Sequence, residues 1–179
     1  MKINMLLGAL ALGLGLTSCL DFGPQPDLCE NGDCDYAYYE DAFIRVWYSD
    51  LVGPDNQLIS GTEVESGSRR VFELLYEYKD DPNTQDDELW EYLRFSVPMD
   101  ADEFTLDSET ELEEAKAYFS RRCYCADLRA FLVEGTLTGT RKSSNAFEVS
   151  ADLQYTDGYG VTEYIVFTRT FRVAELPEG

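Results

Sequence analysis

The tightest constraint in this chain is the alternation over residues 146–156 (AFEVSADLQYT). Phe147, Val149, Ala151, Leu153 and Tyr155 take every second place, with Glu148, Ser150, Asp152 and Gln154 between them. Side chains of a strand point to opposite faces with a period of two, so only a β-strand buries this apolar set together and wets the polar set. The neighbouring segments 128–140 and 161–173 are set off by Lys142-Ser143-Ser144-Asn145 and Asp157-Gly158-Tyr159-Gly160, completing a three-stranded antiparallel meander. Upstream, 42–51 (AFIRVWYSDL) is rich in β-branched and aromatic residues and meets a turn at Gly53-Pro54-Asp55-Asn56, with 57–65 a weaker strand. Segment 69–79 then places Phe72, Leu74, Tyr76 and Tyr78 on one face and Arg69, Glu73, Glu77 and Lys79 on the other. It pairs across the acidic loop 80–88 with 89–97 (LWEYLRFSV) as a hairpin.

A helical period occurs at one place. Ser108 and Glu111 form a capping-box pair, and Leu112, Ala115 and Phe119 fall on one helical face, predicting a helix over 109–120. Glu109, Glu111, Glu113 and Glu114 crowd its first turns and Arg121 and Arg122 close it, as the helix dipole favours. The pattern of about seven strands with one mid-chain helix predicts a mainly β fold, an antiparallel β-sandwich with the helix crossing between two sheet halves. The alternative is an up-and-down barrel of the lipocalin type, which would enclose a lipophile.

Charge removes whole classes of function. With 35 Asp and Glu against 14 Lys and Arg, the formal net charge is −21, which repels nucleic-acid phosphates and anionic headgroups. The 44% hydrophobic content still supports a core, so the acidity belongs to a solvated surface. No histidine occurs in the chain, which rules out Ser-His-Asp and Cys-His catalysis and imidazole metal sites. A carboxylate-dependent hydrolase would need an acid and a base about 5–9.5 Å apart, but the abundance of acids singles out no pair. The sequence therefore predicts a protein without enzymatic activity.

The N-terminus carries an address. Met1 and Lys2 precede the apolar run 5–16 (MLLGALALGLGL), too short for the roughly twenty residues of a membrane-spanning helix, so 1–18 reads as an export signal. The sequence Leu16-Thr17-Ser18-Cys19 resembles the lipobox of bacterial lipoproteins, in which an aliphatic residue and two small residues precede a cysteine that receives a diacylglycerol and becomes the new N-terminus. The resemblance implies lipidation of Cys19 by two or three acyl chains such as palmitate, which makes membrane anchoring stable. Leu20, rather than an aspartate, follows the cysteine; in a Gram-negative cell this implies the outer membrane. Residues 19–36, aperiodic, acidic and broken by Gly23, Pro24, Pro26 and Gly32, are expected to form a tether, followed by a single domain over 37–179. Tyr36, Tyr38 and Tyr39, flanking that tether, are expected to be more exposed than the other aromatics.

Lipidation of Cys19 leaves Cys29, Cys34, Cys123 and Cys125, an even number that predicts two disulfides in an exported protein. On a strand, Cys123 and Cys125 would have Cα atoms about 6.6 Å apart, near the limit for bridging. The preferred pairing is therefore crossed, each joined to one of Cys29 and Cys34, closing loops of about a hundred residues worth about 4–5 kcal/mol. A redox-active Cys123-Tyr124-Cys125 pair lacks a lysine or histidine beside it to lower a thiol pKa, and a four-cysteine zinc site fits the C-x4-C and C-x-C spacings poorly. Asp80, Asp81, Asn83, Asp86, Asp87 and Glu88 are calcium candidates in one loop, without the glycine and final glutamate of an EF-hand; a solvated hairpin tip is the plainer reading. Trp47, Tyr48, Tyr76, Tyr78, Trp90 and Tyr92 are either sheet packing or a stacking platform for sugars. Together these features predict an envelope lipoprotein acting as an interaction or structural component for an unknown protein or glycan partner. The alternative is a glycan- or lipophile-binding module with no cofactor, calcium excepted.

Overall fold

The computed structural model describes residues 29–52, 58–79, 89–123 and 128–176. The protein is mainly β, and among the described residues ten strands form one continuous sheet that folds back on itself as a sandwich. The strands are β1 (Gly32–Val52), β2 (Leu58–Ser66), β3 (Arg69–Tyr78), β4 (Leu89–Pro98), β5 (Glu103–Leu106), β6 (Tyr118–Cys123), β7 (Ala130–Leu132), β8 (Glu134–Ser143), β9 (Ala146–Thr156) and β10 (Thr162–Val173). Their order is β5-β8-β9-β10-β1-β3-β4-β6-β7, with β2 beside β1. The two halves, β5-β8-β9-β10 and β1-β3-β4-β6-β7, meet where β1 pairs in parallel with β10 through Ala37↔Arg172 and Tyr38↔Val173. That pair departs from the all-antiparallel expectation, and the strand count exceeds the expected seven by three: short edge strands β5 and β7 carry no period long enough to register, and β6 falls where the helix and its closing arginines were expected.

The predicted alternation of 146–156 is realised as β9, whose buried residues Phe147, Val149, Ala151, Leu153 and Tyr155 face Tyr38, Phe72, Leu74, Leu93, Phe95 and Phe119 of the opposite half. Aromatic rings knit the halves together: Phe119 stacks on Tyr155 at 4.2 Å, and Phe72 meets Phe147 edge-on at 5.2 Å. The sheet does not close into a barrel, and an internal cavity beside Leu74, Leu93, Phe119 and Ile165 measures only about 10 Å³. That is about the space of one water, far smaller than a lipocalin-type chamber.

The helix α1 (Glu109–Glu114) carries the predicted capping box, with Ser108 Oγ accepting from the Glu111 amide and Glu111 reaching back to the Ser108 amide. It lies in the chain between β5 of one half and β6 of the other, the expected crossover. It is shorter than the predicted 109–120 because Lys116 takes a left-handed φ of 51° and the chain turns extended. Phe119 therefore reaches the core from a strand, and Arg121 and Arg122 lie on β6 rather than at a helix end.

β1 starts at Gly32, inside the stretch read as tether, because Cys34, Tyr36 and Tyr38 already alternate toward the core, with Asp33 and Asp35 exposed on either side of Cys34. Tyr38 and Tyr39 are buried and Tyr36 half-buried, which corrects their expected exposure. Midway, Asp41 adopts φ 50° at a bulge between Tyr39 and Ala42, and its carbonyl accepts from the Gly67 amide at 2.7 Å. A Cβ on Gly67 would lie 2.8 Å from Phe43 Cβ and 2.9 Å from the Ala42 carbonyl, so this corner requires glycine. The first half of β1 thus pairs with β3 and the second half with β2, forming one long hairpin bent at Asp41 and Gly67. Its distal half is an arm that crosses over β4, β6 and β7, hydrogen-bonded through Ser60 to the Leu128 carbonyl and the Ala130 amide.

Candidate ligand-binding cleft

Beneath the arm lies a buried polar network. Glu73 of β3 faces Arg94 of β4 across the ladder, and the carboxylate accepts from Arg94 Nε at 2.6 Å and from the Tyr39 hydroxyl at 2.8 Å. Arg94 also donates to the Thr62 carbonyl and hydroxyl, and Thr62 Oγ1 meets Ser120 Oγ at 3.0 Å, tying the arm to β6. Arg94 and Glu73 are only 8% and 7% exposed, so each neutralises a charge the interior would not otherwise tolerate. Burial, with the Glu73 carboxylate adding to it, raises the Tyr39 hydroxyl far above its ordinary value and keeps it a donor.

Above this network a cleft of about 430 Å³ opens between the arm and the β4–β6 face, within the size range of small-ligand pockets. Trp47, Ser60, Gly61 and Thr62 line the arm side, and Tyr92, Arg94, Ser120 and Arg122 the sheet side. Trp47 pairs with Gly61, where a Cβ would come within 2.6 Å of the indole. The missing side chain makes room for the indole against Gly61. Alternation along the strands sends Trp90, Tyr92 and Arg94 of β4 to one face, and Tyr92 and Trp90 are in register with Ser120 and Arg122 of β6. Arg94 stands 4.2 Å from the Tyr92 ring centroid and Arg122 5.8 Å from that of Trp90. Burial pushes the Tyr92 phenol above its usual value, against the pull of the Arg94 and Arg122 guanidiniums. Trp47 Nε1, the Tyr92 hydroxyl and the Arg122 guanidinium have no hydrogen-bond or carboxylate partner among the described residues.

The aromatics singled out from the sequence separate into distinct environments. Trp47 and Tyr92 line the cleft with Trp90 beside them, Tyr76 is core, and Tyr48 and Tyr78 are exposed. Arg122 was missed as a site residue because helical spacing absorbed it. The two-residue period Tyr118, Ser120, Arg122 against Phe119, Arg121, Cys123 is the signal that places it outward.

One cysteine pairing is local. Cys29 and Cys34 are joined, with Cα atoms 5.7 Å apart, which overturns the crossed pairing. The turn over 29–31, closed by the Gly32 amide to the Cys29 carbonyl, brings the two together at the mouth of β1. The short loop is worth about 2 kcal/mol in the chain-entropy model, less than the expected long closure, and the bond is incompatible with a four-cysteine zinc set. Cys123 at the end of β6 is also disulfide-bonded, its partner lying outside the described residues. Cys19, Tyr124, Cys125 and the calcium candidates Asp80, Asp81, Asn83, Asp86, Asp87 and Glu88 lie outside the described residues too. Among the described residues no group of three or more acidic or cysteine side chains is placed to hold a metal ion. Comparisons with protein-family models, curated proteins and solved structures give no match for this chain.

Proposed function

We propose that this chain is a non-enzymatic bacterial envelope lipoprotein, anchored through Cys19, whose β-domain serves as an interaction component. The anchor rests on the lipobox resemblance of Leu16-Thr17-Ser18-Cys19 and the absence of catalysis on the lack of any histidine in the sequence. The observation that carries the interaction role is the end of the bent hairpin. Tyr48, Leu51, Val52 and Leu58 are each more than half exposed there, Val52 standing opposite Leu58 in the ladder. Apolar side chains gathered on an otherwise strongly acidic surface mark a contact site more often than single exposed residues do. A photocrosslinking residue at Leu51 in living cells is expected to give a discrete adduct, lost when Tyr48 and Leu58 are both changed to serine. A diffuse smear or no adduct in the parent chain counts against the reading.

The cleft favours a second reading, a glycan-binding module on the same envelope. Trp47 and Tyr92 both line the cleft, and aromatic rings are the surfaces on which sugar rings stack; donors without protein partners among the described residues sit with them.

A further inference from the structure

We propose that the cleft between the arm and the β4–β6 face binds a saccharide carrying a single carboxylate, its ring stacked on Trp47 and Tyr92 and its carboxylate held by Arg122. This rests on the glycan-binding reading and goes further by assigning the charge of the ligand. The polarity of the lining carries it. Trp47 Nε1 and the Arg122 guanidinium can only donate, and the Tyr92 hydroxyl stays protonated. The acceptors nearby are already engaged. Thr62 Oγ1 and Ser120 Oγ hold each other, Ser60 Oγ accepts from the Ala130 amide, and the Glu63 carboxylate is paired with Arg45.

A cleft whose open polar groups donate is matched by a ligand whose polar groups accept. A carboxylate on an arginine makes the strongest such contact, because the planar guanidinium fork fits its two oxygens. Arg122 is exposed and faces no carboxylate among the described residues, in a chain where acids outnumber bases 35 to 14. The net charge of −21 also bounds the ligand, since a polyanion would be repelled at long range whereas one or two charges at a guanidinium are tolerated. The buried Arg94, paired with Glu73, backs the Tyr92 ring and leaves Arg122 as the anion-facing group.

The chain's two tryptophans, Trp47 in the cleft and Trp90 under Arg122, make intrinsic fluorescence a direct readout. The full chain is titrated with disaccharides that join one galacturonate, glucuronate or mannuronate residue to a neutral hexose, with their all-neutral counterparts, with a sulfated disaccharide and with acetate. At least one uronate is expected to saturate the signal and bind ten or more times tighter than its neutral counterpart, with acetate inert. Arg122→Gln is expected to weaken the uronate tenfold or more, to the level of the neutral sugar, with unchanged far-ultraviolet circular dichroism. Trp47→Ala should remove binding of both. Equal affinity for neutral and uronate sugars, preference for the sulfated one, or an unaltered uronate affinity in Arg122→Gln overturns the carboxylate assignment and leaves the glycan reading standing. Failure of every saccharide overturns both.

Discussion

Replacing Glu73 by alanine is expected to destabilise the domain by about 3–5 kcal/mol, a large share of the 5–15 kcal/mol that holds a typical domain together. The carboxylate is the shared acceptor of Arg94 Nε and the Tyr39 hydroxyl, and all three side chains are buried. Without it, a guanidinium still clamped to Thr62 of the arm stays in the interior with no counter-charge, and the Tyr39 donor is stranded as well. The midpoint of thermal unfolding should fall by roughly 6–20 °C, and hydrogen exchange should rise first in β2, whose Thr62 is held through Arg94. The double variant Glu73→Leu, Arg94→Met removes both charges and is expected to recover most of the loss, since a buried pair exchanged for apolar side chains of similar size is often neutral. A single variant as stable as the parent in urea unfolding would mean that the pair is solvated and the arm does not cover it.

Phe72→Ala is the second large loss, about 3–5 kcal/mol. Phe72 is fully buried, and its ring stacks on Phe95 at 4.9 Å within its own half of the sheet. It also meets Phe147 at 5.2 Å, Phe104 at 5.4 Å and Phe171 at 5.7 Å, all from the opposite half. Truncation leaves a cavity between two sheet halves, each braced by its own ladder, so little collapse can offset it. Phe72→Leu should cost about a third as much. A loss under 1 kcal/mol for the alanine variant, read from chemical unfolding, would contradict the face-to-face packing of the halves.

Much of the sandwich could be read from local periodicity. Residues 146–156 could satisfy their alternation only as a strand, and the Ser108–Glu111 capping box set the start of the helix. The end of that helix was not readable, because Leu112, Ala115 and Phe119 fit a helical face until Lys116 breaks the backbone. The start of β1 was hidden by composition: Asp33 and Asp35 on either side of Cys34 make a strand that enters the core resemble a solvated linker. The cleft depended on tertiary structure. Glu73 lies on what reads as the wet face of its strand and becomes buried only because the hairpin bends at Asp41 and lays its arm across that face. A single left-handed residue and a nearby glycine decide that bend, and neither alters the two-residue period around it.

The central proposal, a β-domain working from a lipid anchor on an envelope, is tested most directly by the mass of the N-terminal peptide of the protein recovered from membranes of expressing cells. The expected peptide begins at Cys19, lacks residues 1–18 and carries a diacylglycerol, and Cys19→Ser should leave no lipid-modified peptide. An unmodified Cys19 on a chain that fractionates without membranes, or a mature N-terminus elsewhere, contradicts the anchor and with it the envelope setting of both functional readings.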